Sequence, residues 1–265
     1  MKPENYLEIN RQTWNIKVPI HLDSKFYDME SFRKGKNSLP QTDIDLLGDI
    51  KGKSVLHLQC HFGQDSLSMA RMGAKVTGID LSDKAIEKAK ALNIELNLDS
   101  NFICCDVYET LEHINDKFDI VYTSYGTIGW LPDLDKWAKV ISKALKPNGK
   151  FIFVEFHPVL WMFDDNFTKI QHHYHNEKPI IETYSGTYAN KEAEVSTSEI
   201  GWNHSLAEVF QALLNSGLQI DHFNEYDYSN YNCFNEMIEF EKGKFRIKHL
   251  ENKIPMMYSI VAFKK

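Results

Sequence analysis

The chain has 265 residues, of which 43% are hydrophobic and 25% are charged, and its formal net charge is -7. This length fits one domain with additions. The composition is that of a folded globular protein and disfavours a disordered chain. The acidic balance disfavours a broad nucleic-acid-binding surface, because such surfaces are basic.

The sequence has no feature typical of a membrane or exported protein. No apolar run approaches the roughly 18 residues that cross a bilayer, and the first five residues lack the apolar core of a signal peptide. The four cysteines, at positions 60, 104, 105 and 233, form no CxxC pair and no zinc spacing. We therefore expect a cytoplasmic protein with free thiols.

The first 50 residues predict a helical cap. Residues 5–18 fit an amphipathic helix that ends before Pro19, and residues 41–47 fit a short helix that Gly48 closes. From residue 54 onward, short apolar strands alternate with helices. The predicted strands are 54–58, 75–79, 101–105, 118–122 and 150–156, and the predicted helices are 63–72, one capped by Ser82, and 132–145. This alternation predicts a mainly parallel sheet, whose ligands bind beyond the carboxyl ends of the strands.

The alternation breaks over residues 157–202, which are rich in aromatic and polar residues and predict an inserted lid or substrate lobe. A capping box at 205–208 begins a helix that runs to Ser216. Residues 218–226 and 257–264 predict late strands, and residues 233–253 a loop or hairpin over the edge of the sheet.

Two acidic residues follow successive predicted strands. A carboxylate at Asp80 can accept both ribose hydroxyls of an adenosine, and one at Asp106 can accept the adenine amino group. Taken alone, Asp80 fits a helix N-terminal acid and Asp106 a loop cap; together they favour an adenosine site. The loop at residues 57–63 offers only Gly63 and lacks the G-x-G-x-x-G of a dinucleotide site.

Residues 55–156 resemble the core of the class I S-adenosylmethionine-dependent methyltransferases. The matching stretches are 55–63, 76–82, 105–107, 118–122 and 145–149. The resemblance implies an α/β fold: a doubly wound, mainly parallel seven-stranded sheet with the last strand antiparallel and helices on both faces. It also implies one methyltransferase domain over 1–265, divided into an N-terminal helical cap (1–50), a cofactor-binding core (51–156), an inserted lid or substrate lobe (157–202) and a C-terminal helix with strands (203–265).

The same resemblance implies S-adenosylmethionine as cofactor. The implied cofactor residues are Gln59, Cys60, His61 and Gly63 at the methionine moiety, Asp80 at the ribose, Asp106 and Val107 at the adenine, and Ser124 and Tyr125 near the sulfonium. Leu81, next to Asp80, is a further cofactor-binding candidate. His57, Gln59 and His61 replace the acid and the first two glycines of the family's loop. Close approach of the backbone then requires their side chains to point away from the cofactor, and a loop that does not bind is the alternative.

The reaction implied is methyl transfer to a small-molecule acceptor by in-line displacement. A base is needed only if the acceptor must lose a proton, and the candidates are Tyr125, Glu155 and His157. Their alternative roles are a ring packed on the cofactor, a structural hydrogen-bond acceptor and a turn residue. Trp130 and Trp161 are candidate substrate contacts, in an aromatic set with Trp202, Tyr184 and Tyr188 that also fits simple packing.

Further possibilities remain open from the sequence. From the N-terminal segment, Trp14, His21 and Tyr27 are candidates to close over the cofactor. The three histidines His172, His173 and His175 suggest a metal site, but a solvated loop fits better, and we expect no metal. Alternative functions are a nucleic-acid methyltransferase, disfavoured by the charge and by the sequence 123–126 after the fourth strand, and a catalytically silent cofactor-binding module that acts through a partner. The sequence does not indicate an oligomeric state.

Overall fold

A computed structural model describes residues 5–265. Its centre is a seven-stranded sheet. The strands are β1 (Ser54–Leu58), β2 (Lys75–Asp80), β3 (Asn101–Cys104), β4 (Phe118–Ser124), β5 (Leu145–Phe156), β8 (Leu218–Tyr226) and β11 (Met257–Lys264). Their order across the sheet is β3-β2-β1-β4-β5-β11-β8. Only β11 is antiparallel to its neighbours, β5 and β8. The predicted fold class is confirmed.

Helices cover both faces of the sheet, because alternate residues of each central strand point to opposite sides. They are α1 (Tyr6–Leu22), α2 (Met29–Arg33), α3 (Gln41–Leu47), α4 (Gln64–Arg71), α5 (Asp83–Glu95), α6 (Thr110–His113), α7 (Leu134–Ala144) and α8 (Leu206–Asn215). Leu56 packs in one core with residues of α7 and α8, whereas its neighbour Val55 packs in another with residues of α3 and α4.

Most predicted elements are present within a few residues of their expected bounds. The prediction that the first helix ends before Pro19 is wrong, because α1 continues to Leu22. An internal proline costs a helix about 3 kcal/mol. Here Val18 and His21, on either side of that proline, are buried, so tertiary packing of the last turn offsets the lost hydrogen bond. Helix α2 was not predicted.

Residues 157–202 contain the short extended pieces that the sequence predicts. Strands β6 (Ile180–Ser185) and β7 (Ser196–Gly201) make an antiparallel hairpin, and α1 packs along β7. The Asn10 side chain exchanges two hydrogen bonds with the backbone of Ile200, at 2.8 and 3.0 Å. A second hairpin, β9 (Met237–Glu241) with β10 (Lys244–Ile247), lies in the predicted segment 233–253.

Within residues 5–265, every helix is too short or too polar to cross a membrane.

Candidate cofactor and acceptor cavity

The candidate site lies where the strand order of the sheet reverses. The chain builds β2 and β3 on one side of β1, and β4 and β5 on the other. The loops that follow β1 and β4 therefore meet at a switch point, the usual ligand position in open α/β sheets. Gln59 joins the two loops directly, since its Nε2 donates to the carbonyl oxygen of Thr127 at 2.8 Å.

The backbone of the loop after β1 has the left-handed conformation that glycine favours, although Gln59 and His61 carry side chains. Gln59 and His61 have left-handed φ angles of 55° and 52°, and Gly63 has 78°. Such angles are unfavourable for residues with a Cβ, so other contacts must hold the loop. The His61 N–H donates to Asp80 Oδ2 at 2.7 Å, and the Cys60 N–H donates to the Ile79 carbonyl at 2.8 Å. The side chains of Gln59 and His61 are likewise engaged by protein partners.

Gly63 is required for packing and does not line the cavity. A Cβ on Gly63 would lie 2.7 Å from the ring of Phe102, on β3. Gly63 is also outside the set of residues that line the cavity. Because Gly63 has no side chain, the start of α4 can lie close against the sheet.

Asp80 lies at the carboxyl end of β2 and lines the cavity. Its Oδ1 accepts the Ser82 N–H at 2.8 Å, and its Oδ2 accepts the His61 N–H. Each carboxylate oxygen has a second lone pair with which to accept a ligand hydroxyl. Burial raises the pKa of Asp80 to about 6, and these backbone N–H groups oppose the rise. The carboxyl is therefore mostly ionised at neutral pH.

Asp106 follows β3 and lines the same cavity, with Val107 beside it. Its Oδ1 accepts the Tyr108 N–H at 3.1 Å and so caps the short 3-10 turn Val107–Glu109. Asp106 thus acts as a loop cap, the alternative role that the sequence suggested. A carboxylate that caps a turn can also accept a hydrogen bond from a ligand.

Glu155 is buried at the end of β5 and is occupied by the loop after β4. Its carboxylate accepts the backbone N–H groups of Gly126, Thr127, Ile128 and Phe156 and the Thr127 hydroxyl. Burial raises the pKa of Glu155 and these bonds oppose the rise. Glu155 therefore acts as a structural hydrogen-bond acceptor, the alternative to a catalytic base, and it positions the backbone of residues 126–128.

His157 is turned away from the cavity. Its Nδ1 lies 3.2 Å from the Val159 backbone N–H, which donates to it, so Nε2 carries the proton of the neutral ring and donates to Glu225 at 2.9 Å. Burial lowers the pKa of His157, with Glu225 opposing. His157 is not among the cavity-lining residues, so the structure does not bring this predicted base to the site.

Tyr125, the third candidate base, does line the cavity. Its φ is 47°, and its hydroxyl donates to Asp43 Oδ2 at 2.6 Å while accepting from Asn230 Nδ2 at 2.7 Å. Asp43, on α3, was not predicted as a site residue. Its sequence context is an ordinary short helix, so no local signal distinguishes it.

The cavity has a volume of about 890 Å³, within the usual range for small-molecule sites. It brings together nine of the ten predicted cofactor residues, all except Gly63, with both predicted substrate residues, Trp130 and Trp161. Its outer side is formed by α1 and by residues 157–202. Trp14 lies over the loop after β1, with ring centroids 5.2 Å from His61 and 5.3 Å from Trp130.

Two more N-terminal residues were candidates to close over the cofactor. Tyr27 lines the cavity, whereas His21 lies behind the cavity wall. His21 Nδ1 and His61 Nε2 share a hydrogen bond of 3.0 Å. Burial, with the charge of Lys17 as a second cause, lowers the pKa of His21 to about 3. Both rings are therefore neutral at physiological pH, since burial also lowers the pKa of His61.

The three histidines of the insertion are dispersed rather than clustered. His172 lies 3.1 Å from Glu182, and His173 lies 3.6 Å from Glu177 near the surface. Over residues 5–265, no group of three or more histidine, cysteine or acidic side chains is arranged to hold a metal ion.

The sheet order, the antiparallel last strand and the cavity at the switch point define the class I methyltransferase fold, whose usual cofactor is S-adenosylmethionine. Residues 55–149 match the family model described as a methyltransferase domain. This match covers 95 of the 265 residues, so residues 55–149 are similar to a methyltransferase domain, and the chain has the class I methyltransferase fold.

Individual relatives are similar over part of the chain. The ubiquinone biosynthesis O-methyltransferase of Coxiella burnetii is 36% identical over 104 residues, which is 39% of this chain and 44% of that protein. The chain thus matches less than half the length of this curated relative. The fold is similar to that of an S-adenosylmethionine-dependent methyltransferase from Mesorhizobium loti, with a TM-score of 0.57, 18% identity, and 88% and 100% of the two chains covered. It is also similar to the (4+2)-cyclase SpnF, with a TM-score of 0.59, 14% identity, and 96% and 94% covered.

Proposed function

We propose that this protein transfers a methyl group from S-adenosylmethionine to a small-molecule acceptor. One observation carries the proposal: the loop after β1, Asp80 and Asp106 line one part of a cavity whose other part is aromatic and formed by residues 157–202. A single cavity of about 890 Å³ has room for a cofactor and a small acceptor side by side.

The residues present fit an adenosyl cofactor by the chemistry of their side chains. Asp80 would accept the ribose hydroxyls, Asp106 would accept the adenine amino group, and the apolar side chains of Leu81 and Val107 would pack on the base. The buried Oε1 of Gln59 has no hydrogen-bond partner, and an ammonium group is a suitable donor to it. When bound, this cofactor supplies an electrophilic methyl group on a positively charged sulfur.

The protein's own contribution is alignment and exclusion of water. Glu155 holds the 126–128 backbone, Gln59 joins that loop to the loop after β1, and Trp14 covers the junction. We propose that residues 157–202 form the acceptor lobe of one domain that spans the chain. The first four residues of the expected N-terminal cap lie outside the described part of the chain.

A small acceptor is favoured over a nucleic acid by the charge of the acceptor lobe. Asp164, Asp165 and Glu182 line it, and carboxylates there repel phosphates. The Coxiella burnetii relative, which is named a ubiquinone biosynthesis O-methyltransferase, also supports a small acceptor. A cofactor-binding protein without methyl transfer is the second candidate, because Gln59 and His61 replace two glycines and because the fold also occurs in the cyclase.

Isothermal titration of the full chain with S-adenosylmethionine and with S-adenosylhomocysteine tests the proposal. We expect Asp80→Ala to weaken binding by about 100-fold, since each hydrogen bond to a charged group contributes about 1.5–3 kcal/mol. Asp83→Ala is the matched control, because Asp83 lies three residues on but is exposed and pairs with Arg11. Absence of binding by the folded wild-type protein would contradict the proposal. Binding without transfer to any acceptor in a screen with methyl-labelled cofactor would favour the silent module.

A further inference from the structure

A buried carboxylate stands directly behind the cavity wall. Asp43 is fully buried, and each of its oxygens accepts a phenolic hydroxyl: Oδ1 from Tyr122 at 2.5 Å and Oδ2 from Tyr125 at 2.6 Å. Only Tyr125 lines the cavity, whereas Tyr122 is buried in the core between the sheet and α3. The carboxylate is therefore connected to the cavity through one hydroxyl group.

The hydroxyl of Tyr125 has capacity for one more partner. A phenolic oxygen has one hydrogen to donate and two lone pairs. The hydrogen is given to Asp43, and one lone pair accepts from Asn230 Nδ2 at 2.7 Å. The remaining lone pair can accept a hydrogen bond from a ligand in the cavity that Tyr125 lines.

The backbone holds Tyr125 in one position. Its φ of 47° is an unfavourable angle for an aromatic residue. Its N–H donates to the Val154 carbonyl at 2.9 Å, and the next three N–H groups are bound by Glu155. A strained residue that is held by its surroundings in this way is typical of functional sites.

We propose that Tyr125 and Asp43 form a proton relay, and that the acceptor is a compound whose hydroxyl group must lose its proton during methyl transfer. This inference rests on the proposed function. The O–H bond of the acceptor breaks as its proton bonds to the Tyr125 oxygen. The former Tyr125 proton bonds to Asp43 Oδ2. The electron pair left on the acceptor oxygen would form the bond to the methyl carbon of S-adenosylmethionine. The methyl–sulfur bond would break with its electron pair left on sulfur, which gives S-adenosylhomocysteine, and the negative charge of Asp43 would be neutralised.

The surroundings of Asp43 suit a proton acceptor near neutral pH. The facing titratable groups are Tyr122 and Tyr125 from β4 and its loop, Asp65 from α4, and Tyr231 from the segment after β8. Burial raises the pKa of Asp43 to about 7; the hydroxyls of Tyr122 and Tyr125 oppose the rise, and the charge of Asp65 adds to it. A base is most effective when its pKa lies near the working pH.

The cavity wall next to the hydroxyl favours an aromatic acceptor. Tyr231 contacts the Tyr125 ring edge-on at 5.0 Å, and Phe156 lies 5.7 Å from it on another side. Trp161 and Phe234 extend this aromatic surface from Phe156. Aromatic rings pack on such surfaces edge-on or offset, so a phenol fits both the wall and the relay.

The experiment compares methyl transfer from S-adenosylmethionine to phenol and to 4-nitrophenol, most of which is already ionised in mildly alkaline buffer. We expect Asp43→Asn and Tyr125→Phe to slow transfer to phenol by about 100-fold, as for loss of a general base, and to change transfer to 4-nitrophenol only a few-fold. Tyr122→Phe is the matched control: it removes an equivalent hydrogen bond to Asp43 but leaves the path to the cavity, so the variant should keep the wild-type preference.

A second measurement uses the protein without cofactor. Infrared difference spectra of wild-type minus Asp43→Asn protein should contain a protonated-carboxyl band that disappears as the pH rises through about 7. Tyr122→Phe should move this loss to higher pH, because it removes a donor to the carboxylate. Should Asp43→Asn not fold, Tyr125→Phe provides the kinetic test.

Each result has one meaning. The relay would be overturned if the variants lost methyl-transfer rate equally with phenol and with 4-nitrophenol, or if no carboxyl band titrated in the infrared spectra. The proposed function would stand in both cases. Transfer to neither phenol by a wild-type protein that binds S-adenosylmethionine would overturn the acceptor class. Absence of cofactor binding would overturn the proposed function itself.

Discussion

The two walls of the cavity differ in the sequence range of the contacts that hold them. We call the ends of the central strands and their loops (59–63, 80–81, 106–107 and 124–128) the strand-end wall. It is held by sheet register, by caps such as the Ser82 N–H to Asp80 bond, two residues apart, and by bonds between neighbouring strand ends such as Gln59 to Thr127, 68 residues apart. We call α1 and residues 157–202 the outer wall. It is held by pairs such as Lys17 with Glu199, 182 residues apart.

This difference explains why the residues of the strand-end wall could be predicted and many of the outer wall could not. Parallel strands place their carboxyl ends at one edge, so the order of the strands is enough to bring Asp80 and Asp106 together. The partners in the outer wall are chosen only when distant segments fold against one another. Four predictions test this contrast, from the largest expected effect to the smallest.

The outer wall should depend strongly on one buried ion pair. Lys17 and Glu199 have side-chain exposures of 6% and 15%. Removal of one partner leaves the other buried without compensation, and we expect Lys17→Met to lower the free energy of unfolding by about 3 kcal/mol. Chemical denaturation measures this. Arg33→Met, at the exposed pair with Glu95, is the control, and an equal loss there would show that the outer wall does not depend on this buried contact.

The strand-end wall should depend on the packing of Gly63. Gly63 and Gly217 have the same φ of 78°, but only a Cβ at Gly63 meets other atoms, at 2.7 Å from Phe102. Gly217→Ala should cost about 1 kcal/mol for the left-handed angle alone. Gly63→Ala should cost about 1–3 kcal/mol more, because of overpacking. Thermal unfolding compares the two variants, and equal costs would contradict the packing role.

Cofactor affinity should follow the ionisation of Asp80. The pKa of Asp80 is raised to about 6 in the folded protein, and only the carboxylate can accept two ribose hydroxyls. Affinity should be constant above that value and should fall by up to about tenfold per pH unit below it. Titration calorimetry over this range measures the effect, and Asp80→Asn should remove the dependence. An affinity that rises on acidification would contradict the assignment.

The two tryptophans should have separable roles. Trp161 packs against Phe156 and Phe234 and is partly exposed, whereas the Trp130 indole donates to the Gly126 carbonyl at 2.7 Å. Trp161→Ala should raise the acceptor KM a few-fold with little change in kcat. Trp130→Ala should lower kcat as well, because it releases the loop after β4. Steady-state kinetics with a screened acceptor separates these cases, and identical effects would argue against distinct roles.

The sequence alone determined the elements whose signals are local. The bounds of β1, the Ser82 cap and Asp80 at the end of β2 follow from periodicity and cap chemistry within a few residues. The resemblance to the methyltransferase core added the expected cofactor and a seven-stranded sheet whose last strand is antiparallel. The strand bounds, the cap and the sheet agree with the structure because neighbouring residues and sheet register determine them.

Only the tertiary structure decided the remaining features. Gln59 and His61 adopt the left-handed angles of the missing glycines because Thr127, Asp80 and His21 hold them. Helix α1 passes through Pro19 because its last turn is buried. Asp43 becomes a site residue because α3 places its carboxylate against two tyrosines of β4 and its loop. In each case the free energy that selects the conformation comes from partners distant in sequence, which no local pattern records.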